Sequence, residues 1–319
     1  MKLLYPFALL YGIIIGIRNL LFDFNLLKQE QFGIPIISIG NLNMGGSGKT
    51  PHVEYFINYY KEKYNIAVIS RGYGRKTKGF RYVNSSDLAE LCGDEPLQIK
   101  RKFEHIVMAV GEKRVDAIRK ITLEHPKINL ILLDDAFQHR FVKPSVSILL
   151  TDYSKPFWKD SIAPAGKLRE FSFGYKRATA IIITKCPQNP NLSIPKNINS
   201  KPIYYSHINY QAPVLVHGAL SKNIILITGI ANPNPLLSYL NEKGYTIRHH
   251  FNFSDHHQFN NSDSLNIVKK MNETLECMVL TTEKDYMRVV PSLKNKLPNL
   301  AYMPIHVAIK DAPVDWLTL

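Results

Sequence analysis

The sequence feature that most constrains the fold is a glycine-rich hexapeptide, GGSGKT at 45–50. An apolar run at 34–41 precedes it, and a helical pattern begins near Lys49. Strand, glycine loop and helix in this order are the context of a phosphate-binding P-loop. Glycines let backbone N–H groups close around phosphate oxygens, and the helix N-terminus adds partial positive charge. The sequence therefore predicts a nucleotide site here.

Each residue of the loop has an expected contact. Lys49 is expected to reach the β- and γ-phosphates, and the Thr50 hydroxyl is expected to bind Mg²⁺. The general P-loop pattern has a glycine five residues before Gly48, and this chain has Asn43 there. Asn tolerates a positive φ better than most residues, so the substitution does not exclude the loop. The expected nucleotide contacts are Gly45, Gly46, Ser47, Gly48, Lys49 and Thr50.

A second acidic motif supports the nucleotide site. Residues 129–133 (NLILL) form an apolar run that ends in Asp134 and Asp135. In open α/β sheets ligands bind at the carboxyl ends of the strands, so these acids are expected beside the P-loop. One of the two is expected to hold Mg²⁺ directly or through water, and the sequence leaves open which. Gln138 and His139 follow closely and are expected to face the nucleotide or the acceptor.

The nucleotide is expected to be ATP rather than GTP. The guanine signature [NT]KxD requires an aspartate as its fourth residue. Residues 184–187 read TKCP and lack that aspartate.

The apolar pattern predicts an α/β fold with two domains. Apolar runs of strand length alternate with helical patterns, which favours a mostly parallel sheet of the P-loop NTPase type over residues 29–215. The pattern breaks at 211–220, and NIILIT at 223–228 begins a new strand. Residues 216–319 are therefore expected to form a second, smaller α/β domain, with the site in the cleft. The predicted strands of the first domain are 34–39, 66–70, 105–110, 129–133, 147–150, 180–184 and 203–207.

The N-terminus predicts a membrane-associating helix over residues 1–28. Residues 3–17 carry no charge, and Arg18 ends the run. These fifteen residues reach about 22 Å as a helix, short of the roughly 30 Å hydrocarbon core. A secretory signal is disfavoured because Lys2 alone would be its basic region and no small-x-small cleavage site follows. The helix is expected to lie in the inner face of a membrane. A core helix of the first domain is the open alternative.

The formal net charge of +14 indicates an anionic partner. Nucleic acid, an anionic membrane surface and a polyanionic substrate each fit that charge. The basic residues form only short clusters, at 71–81 and 100–102, and no nucleic-acid-binding motif accompanies them. No nucleic-acid partner is expected, although a nucleic-acid-dependent ATPase is the alternative that charge alone suggests.

Nine motifs together resemble one enzyme family. In order they are SIGNLNMGGSGKTP (38–51), SRGYGR (70–75), GDEP (93–96), VGEKR (110–114), DDAFQHR (134–140), PAGKLRE (164–170), TGIANP (228–233), FSDHH (253–257) and TTEKD (281–285). In this order and spacing the chain resembles the tetraacyldisaccharide 4′-kinase, or lipid A 4′-kinase, family of Gram-negative bacteria. The P-loop that starts without its first glycine is similar to that family's own variant.

The resemblance implies transfer of the ATP γ-phosphoryl group, with Mg²⁺, to the 4′-hydroxyl of a tetraacylated disaccharide 1-phosphate. It implies a peripheral, monotopic enzyme at the cytoplasmic face of the bacterial inner membrane, with a hinge between its two domains. A sugar hydroxyl is a poor nucleophile, so the transfer needs positioning, charge neutralisation and a proton acceptor. Asp94 is the candidate base, and the resemblance pairs it with His256. Either can take the proton, and Asp255 is a further candidate orienter.

The resemblance also implies roles for four other residues. Arg169 and Glu170 look like the family's active-site pair, with the arginine suited to phosphate and the glutamate to Mg²⁺ or ribose. Arg71 and Arg114 are candidates for the 1-phosphate of the substrate. The rival from another class is a membrane-recruited P-loop ATPase that acts as a switch and needs no acceptor base.

Overall fold

The computed structural model describes residues 4–255, 257, 259–274, 276–293 and 296–319. Its helices are α1 (Tyr5–Asp23), α2 (Lys49–Tyr60), α3 (Ala89–Cys92), α4 (Asp94–Lys102), α5 (Arg114–Glu124), α6 (Asn234–Glu242), α7 (Asn261–Glu273) and α8 (Glu283–Leu293). Its strands are β1 (Ile36–Asn41), β2 (Ile66–Ser70), β3 (Arg81–Tyr82), β4 (Val107–Val110), β5 (Leu130–Asp134), β6 (Val146–Asp152), β7 (Ala180–Thr184), β8 (Ile203–Tyr210), β9 (Val214–His217), β10 (Asn223–Thr228), β11 (Thr246–Asn252), β12 (Met278–Thr282), β13 (Leu300–Met303) and β14 (Ile305–Lys310).

The described strands form two sheets, and the larger one has nine strands in the order β14-β8-β7-β6-β1-β5-β2-β4-β3. Its strands are parallel except at the two edges, where β3 and β14 run antiparallel to their neighbours. The central strands β1, β2, β5 and β7 are buried along their whole length, as expected for a parallel sheet covered by helices. Because β1 pairs with β5 in parallel, Ile39 lies beside Asp134. The P-loop after β1 and the acids after β5 therefore meet at one sheet edge, which confirms the predicted α/β P-loop architecture.

The smaller sheet has five described strands in the order β11-β10-β12-β13-β9, parallel except for β9. Its apolar clusters pack α7 and α8 against one face and α6 against the other. The predicted extent of this domain, 216–319, is corrected at its C-terminal end. Strand β14 pairs with β8 of the larger sheet, and the fully buried Trp316 packs against Phe56 and Tyr204. The chain thus crosses between the sheets twice, because the last strand completes the edge of the first sheet.

Helix α1 is anchored along a narrow stripe. Its buried residues are Ala8, Gly12, Asn19 and Phe22. A Cβ at Gly12 would lie 2.5 Å from the Phe171 ring, so glycine permits this close approach. The large apolar residues Leu4, Tyr5, Phe7, Leu9, Leu10, Ile13, Ile14, Ile17 and Leu20 remain exposed.

Among the described helices, α1 is the one long and apolar enough to cross a membrane by length and composition. Only 22% of its most apolar window is buried. The alternative of a core helix does not match this exposure, since a core helix buries most of its surface. Length and composition alone do not distinguish a helix that spans a membrane from one that lies on it.

Candidate active site

The P-loop connects β1 to α2. Glycines at positive φ set its backbone path, and side-chain contacts hold it in place. Gly45 (φ +108°) and Gly48 (φ +80°) adopt positive φ values that favour glycine. Asn43 instead forms an antiparallel bridge with Leu168, so the expected positive φ is not needed there. Its side-chain amide donates to Asp160 Oδ2 at 2.9 Å. Asn43 therefore ties the start of the loop to the 160–168 segment, which a glycine cannot do.

The end of the loop is held by a neutral histidine. His52 lies in the first turns of α2, with Nδ1 at 2.6 Å from the Gly48 carbonyl and Nε2 at 2.9 Å from Ser206 Oγ. Burial lowers the pKa of His52 to about 4, so the ring is neutral near pH 7. Since a carbonyl only accepts, Nδ1 carries the hydrogen. Ser47 Oγ is buried with no partner among the described residues. A hydroxyl that binds phosphate would be left in this state when no nucleotide is bound.

Two cations meet one carboxylate beside this loop. Lys49 Nζ lies 3.7 Å from Asp135 Oδ1, and Arg169 Nη1 donates to the same oxygen at 2.7 Å. Burial favours the protonated acid, but Lys49 and Arg169 outweigh it and hold the pKa of Asp135 below its usual range. The structure thus brings together the predicted phosphate lysine, one predicted acid and the predicted phosphate arginine.

Asp134 differs from its neighbour. Its Oδ2 accepts from Ser70 Oγ at 2.8 Å, while its buried Oδ1 has no partner among the described residues. Burial, with Glu95 and Asp135 nearby, raises the pKa of Asp134 to about 7. A buried carboxylate crowded by two others is stabilised by a cation. The donor set therefore suits Mg²⁺, with Asp134 holding the available oxygen.

Within the described residues no group of three or more His, Cys, Asp or Glu side chains forms a metal cluster. Mg²⁺ does not require one in this kind of site, because one or two protein ligands commonly hold it together with substrate phosphates and water.

The predicted base begins α4. Gly93 precedes it with φ +94°, and a Cβ there would lie 3.0 Å from the Tyr73 carbonyl, so the turn suits glycine. Asp94 is buried, and its Oδ2 lies 3.6 Å from Arg288 Nε in α8 of the smaller domain. Its neighbour Glu95 lies 3.2 Å from Lys284 Nζ. The candidate base therefore lies at the junction of the two domains.

His256, the predicted partner of Asp94, lies outside the described residues, and the pairing stays a prediction. The described residues on either side of it both contact side chains of α8. Asp255 Oδ1 is 3.5 Å from Lys284 Nζ, and the His257 carbonyl accepts from Arg288 Nη1 at 3.1 Å. The same two cations thus contact Asp255, the His257 carbonyl and the Asp94–Glu95 pair.

Glu170 and Gln138 are placed in a buried network. Gln138 Nε2 donates to the Asn41 carbonyl and to Glu170 Oε1, each at 3.0 Å. Glu170 also accepts from Asn19 of α1 at 2.8 Å and from Arg177 at 2.7 Å. Both oxygens of Glu170 are engaged by protein groups, so the structure does not direct it at a nucleotide. Its predicted contact with Mg²⁺ or ribose stays a prediction, and its hydrogen bond with Asn19 connects α1 to the site.

His139 and the two predicted 1-phosphate arginines lie at the same edge. Burial, together with Arg114 and other cations, lowers the pKa of His139 to about 4. Arg114 is buried, and its Nη1 donates to the Gly111 carbonyl at 2.7 Å while Nη2 reaches the Asp134 carbonyl at 3.4 Å. Arg114 therefore stabilises the end of β5 through its contact with the Asp134 carbonyl. Arg71 is exposed and is the better placed of the two for an external phosphate.

The sequence interpretation missed Lys185. It follows β7 with φ +57° and donates from Nζ to the Gly46 carbonyl at 2.5 Å and to Asp152 Oδ2 at 2.7 Å. It thus fixes the middle of the P-loop from a neighbouring strand. The available signal was its position immediately after a buried strand, at the edge where ligands bind.

The comparisons with known proteins agree with this geometry. The chain matches the family model described as "LpxK: Tetraacyldisaccharide-1-P 4'-kinase" over residues 1–318. It is 39% identical to the tetraacyldisaccharide 4′-kinase of Bacteroides thetaiotaomicron, covering 97% of this chain and 89% of the relative. It is also 39% identical to that of Flavobacterium johnsoniae, covering 95% and 91%.

A solved structure resembles the whole fold. The crystal structure of LpxK from Aquifex aeolicus in complex with ATP superimposes with a TM-score of 0.78 and 26% identity. The match covers 97% of this chain and 95% of that one. The match thus extends along nearly the whole sequence. It accompanies a site with a P-loop, a neighbouring acidic pair and a buried aspartate at a domain junction. The chain belongs to the tetraacyldisaccharide 4′-kinase family.

Proposed function

We propose that this protein transfers the γ-phosphoryl group of ATP to the 4′-hydroxyl of a tetraacyldisaccharide 1-phosphate, a step of lipid A biosynthesis. The observation that carries the proposal is the position of Asp94. It is buried, belongs to the P-loop domain, and is followed by Glu95, which lies close enough to Asp134 to affect its pKa. A carboxylate close to the acids after β5 can accept a proton from an acceptor hydroxyl held beside the phosphates. The family match over 1–318 supports the choice of acceptor.

The chain supplies charge neutralisation and positioning. The P-loop amides and Lys49 hold the β- and γ-phosphates, and Arg169 adds a second cation beside Lys49. Thr50 and Asp134 would hold Mg²⁺, which when bound neutralises phosphate charge and orients the leaving group. Asp135 orients the two cations through its contacts with them.

The chemistry at the acceptor is a single displacement. The 4′-oxygen attacks the γ-phosphorus, the bond from that phosphorus to the β–γ bridging oxygen breaks, and ADP leaves. The hydroxyl proton passes to Asp94 or to His256, the two candidate acceptors. A base is needed because a sugar hydroxyl is almost un-ionised near neutral pH.

Helix α1 brings the enzyme to its lipid. A four-chain lipid stays in the bilayer, so the catalyst must bind the membrane surface. The exposed apolar face of α1 suits burial at the head-group and acyl boundary of the cytoplasmic leaflet of the inner membrane. Lys28 then lies at head-group level, and the basic surface adds attraction of up to about 1 kcal/mol per well-placed cation.

The test is incubation of purified protein with γ-labelled ATP, Mg²⁺ and detergent-dispersed disaccharide monophosphate, followed by identification of the labelled lipid. Lys49→Ala and Asp94→Ala are each expected to abolish transfer with the fold intact. Lys61→Ala, at the exposed far end of α2, is the matched control and is expected to be fully active.

Two results would overturn the proposal. One is a near-normal transfer rate in Lys49→Ala or Asp94→Ala. The other is ATP turnover stimulated equally by plain lipid with no phosphorylated sugar, which indicates a membrane-recruited ATPase switch. Stimulation by polynucleotide without a lipid product would instead indicate a nucleic-acid-dependent ATPase.

A further inference from the structure

We propose that Arg288 is a positioning residue that holds the candidate base Asp94 ready for catalysis only while the smaller domain is seated against α4. The inference rests on the proposed kinase function. Arg288 carries none of the roles assigned above, and its guanidinium contacts Asp94 from the smaller domain.

The guanidinium is held by three groups of its own domain. Nη2 pairs with Asp285 and donates to the Gly229 carbonyl at 3.2 Å, and Nη1 donates to the His257 carbonyl at 3.1 Å. Arg288 thereby connects the turn after β10, the segment before α7, and α8. An arginine suits this task because its planar fork donates in several fixed directions.

Asp285 makes this arrangement rigid. It is fully buried and accepts from the Gly229 N–H at 2.9 Å and from Thr282 Oγ1 at 2.7 Å, besides pairing with Arg288. The buried arginine is therefore neutralised and oriented entirely from within the smaller domain. This leaves Nε, on the remaining side of the guanidinium, to face Asp94 across the junction.

The contact with Asp94 is an ion pair and not a hydrogen bond. The Nε to Oδ2 distance is 3.6 Å, longer than a hydrogen bond between these atoms. A cation at this distance stabilises the ionised carboxylate, which is the form that accepts a proton, without blocking the oxygen with a donated hydrogen. The other described charged groups near Asp94 are Glu95 and Lys284, and Lys284 also lies 3.5 Å from Asp255.

Domain closure then controls the base. Asp94 belongs to the larger domain and Arg288 to the smaller one, so separation of the domains removes this cation from Asp94. An open enzyme would hold ATP beside a misplaced base, which protects ATP from hydrolysis when no acceptor is bound.

The experiment compares Arg288→Gln and Arg288→Lys with wild type, as kcat and KM for each substrate across pH. Arg288→Gln is expected to lower kcat roughly 100-fold, the scale of a general-base contribution, with both KM values little changed. The acidic limb of its pH–kcat profile is expected to move to higher pH, because the ionised base has lost a stabilising cation. Arg288→Lys is expected to show the acidic limb of the wild-type pH–kcat profile and a kcat between those of wild type and Arg288→Gln. Arg248→Gln, an exposed arginine on β11, is the control.

Non-additivity separates positioning from a structural effect. In an Asp94→Asn background, Arg288→Gln is expected to leave the small residual transfer rate almost unchanged, because both changes remove the function of the same base. A full additional loss in the double variant, or an unmoved acidic limb in Arg288→Gln, would overturn the inference. If Arg288→Gln does not fold, Arg288→Lys in the Asp94→Asn background decides by the same criterion. A wild type that makes no phosphorylated lipid would instead overturn the proposed function, and the inference with it.

Discussion

Glu54 lies on the buried face of α2, where Lys102 Nζ is 2.7 Å from its Oε2 and Gln98 donates to its Oε1 at 2.8 Å. Burial raises the pKa of Glu54 to about 7 although Lys102 opposes the shift. The pKa of Lys102 is itself raised, since burial is outweighed there by Glu54 and Glu283. The two pKa shifts together indicate that Lys102 stays charged between two carboxylates, and that Glu54, the more buried of the two, resists ionisation.

Because of Glu54, the free energy of unfolding is expected to depend on pH. The pKa of Glu54 in the folded protein is above its usual 4.5, so the folded state binds this proton more tightly, and its stabilising effect is lost as pH rises toward 7. The free energy of unfolding of wild type, relative to Glu54→Gln, is expected to fall by at most about 3 kcal/mol between pH 5 and pH 8. Urea unfolding of both proteins at the two pH values measures it, and a constant difference would contradict the assignment.

Lys185 predicts a nucleotide-specific defect. Lys185→Met removes the donor to the Gly46 carbonyl and leaves the P-loop backbone less ordered. The KM for ATP is expected to rise about tenfold, the loss of roughly one charge-assisted hydrogen bond, with the KM for the lipid unchanged. Lys196→Met, on an exposed loop, is the control. A rise confined to the lipid KM would place Lys185 elsewhere in the mechanism.

At the scale of elements, α1 combines two kinds of contact on opposite sides. Asn19 donates to Glu170 at 2.8 Å, and Tyr11 donates to the Arg169 carbonyl at 2.9 Å. The helix is thus connected directly to the residues beside the P-loop. On the other side Leu9, Ile13 and Ile17 follow one another at four-residue spacing and are exposed. One element therefore connects an exposed apolar face to the residues beside the phosphate site.

Helix α1 predicts vesicle binding that depends on its exposed face. The double substitution Leu9→Glu, Ile13→Glu is expected to weaken partition into anionic vesicles about 100-fold, because each apolar side chain contributes about 1.5 kcal/mol or more on burial. ATP binding is expected to be unchanged. Leu123→Glu, a leucine exposed on α5, is the matched control. Co-sedimentation measures the partition, and equal binding by the double variant would exclude this face as the membrane contact.

At the scale of the whole molecule, the two domains are joined by buried charges. Lys102 of α4 contacts Glu54 of α2 and, at 3.0 Å, Glu283 of α8. Lys284 and Arg288 complete the junction from the other side, against Glu95 and Asp94. The helix of the P-loop, the helix of the base and the smaller domain therefore meet at one place.

Lys102→Met is expected to destabilise the protein by about 1–3 kcal/mol. It leaves two buried carboxylates without their cation, and the value is reduced because the Lys102 side chain is 27% exposed. Adding Glu54→Gln is expected to recover most of the loss, since a neutral amide replaces one of the two charges. Thermal unfolding of the single and double variants measures both effects. A double variant less stable than Lys102→Met would contradict this account of the junction.

The elements that could be predicted are those whose signals are local. The predicted bounds of β2, β7 and β10 match the structure, because each is a continuous apolar run with clear ends. Helices α7 and α8 were not predicted, although Asn260 and Asp263 form a capping box at the start of α7. Strand β14 was missed because it is a partly exposed edge strand, and its partner β8 lies almost a hundred residues earlier in the chain.

The sequence by itself determined the phosphate chemistry of this protein and its family. The strand, the loop from Gly45 to Thr50 and the following helix are adjacent in the chain, so short-range geometry is sufficient to form the cradle. Only the tertiary structure decided which charges meet. The contacts of Glu170 with Asn19 and of Lys185 with Gly46 join residues 151 and 139 positions apart, and Arg288 reaches Asp94 from another domain. Such pairs depend on how the sheets and helices pack, which no local pattern encodes.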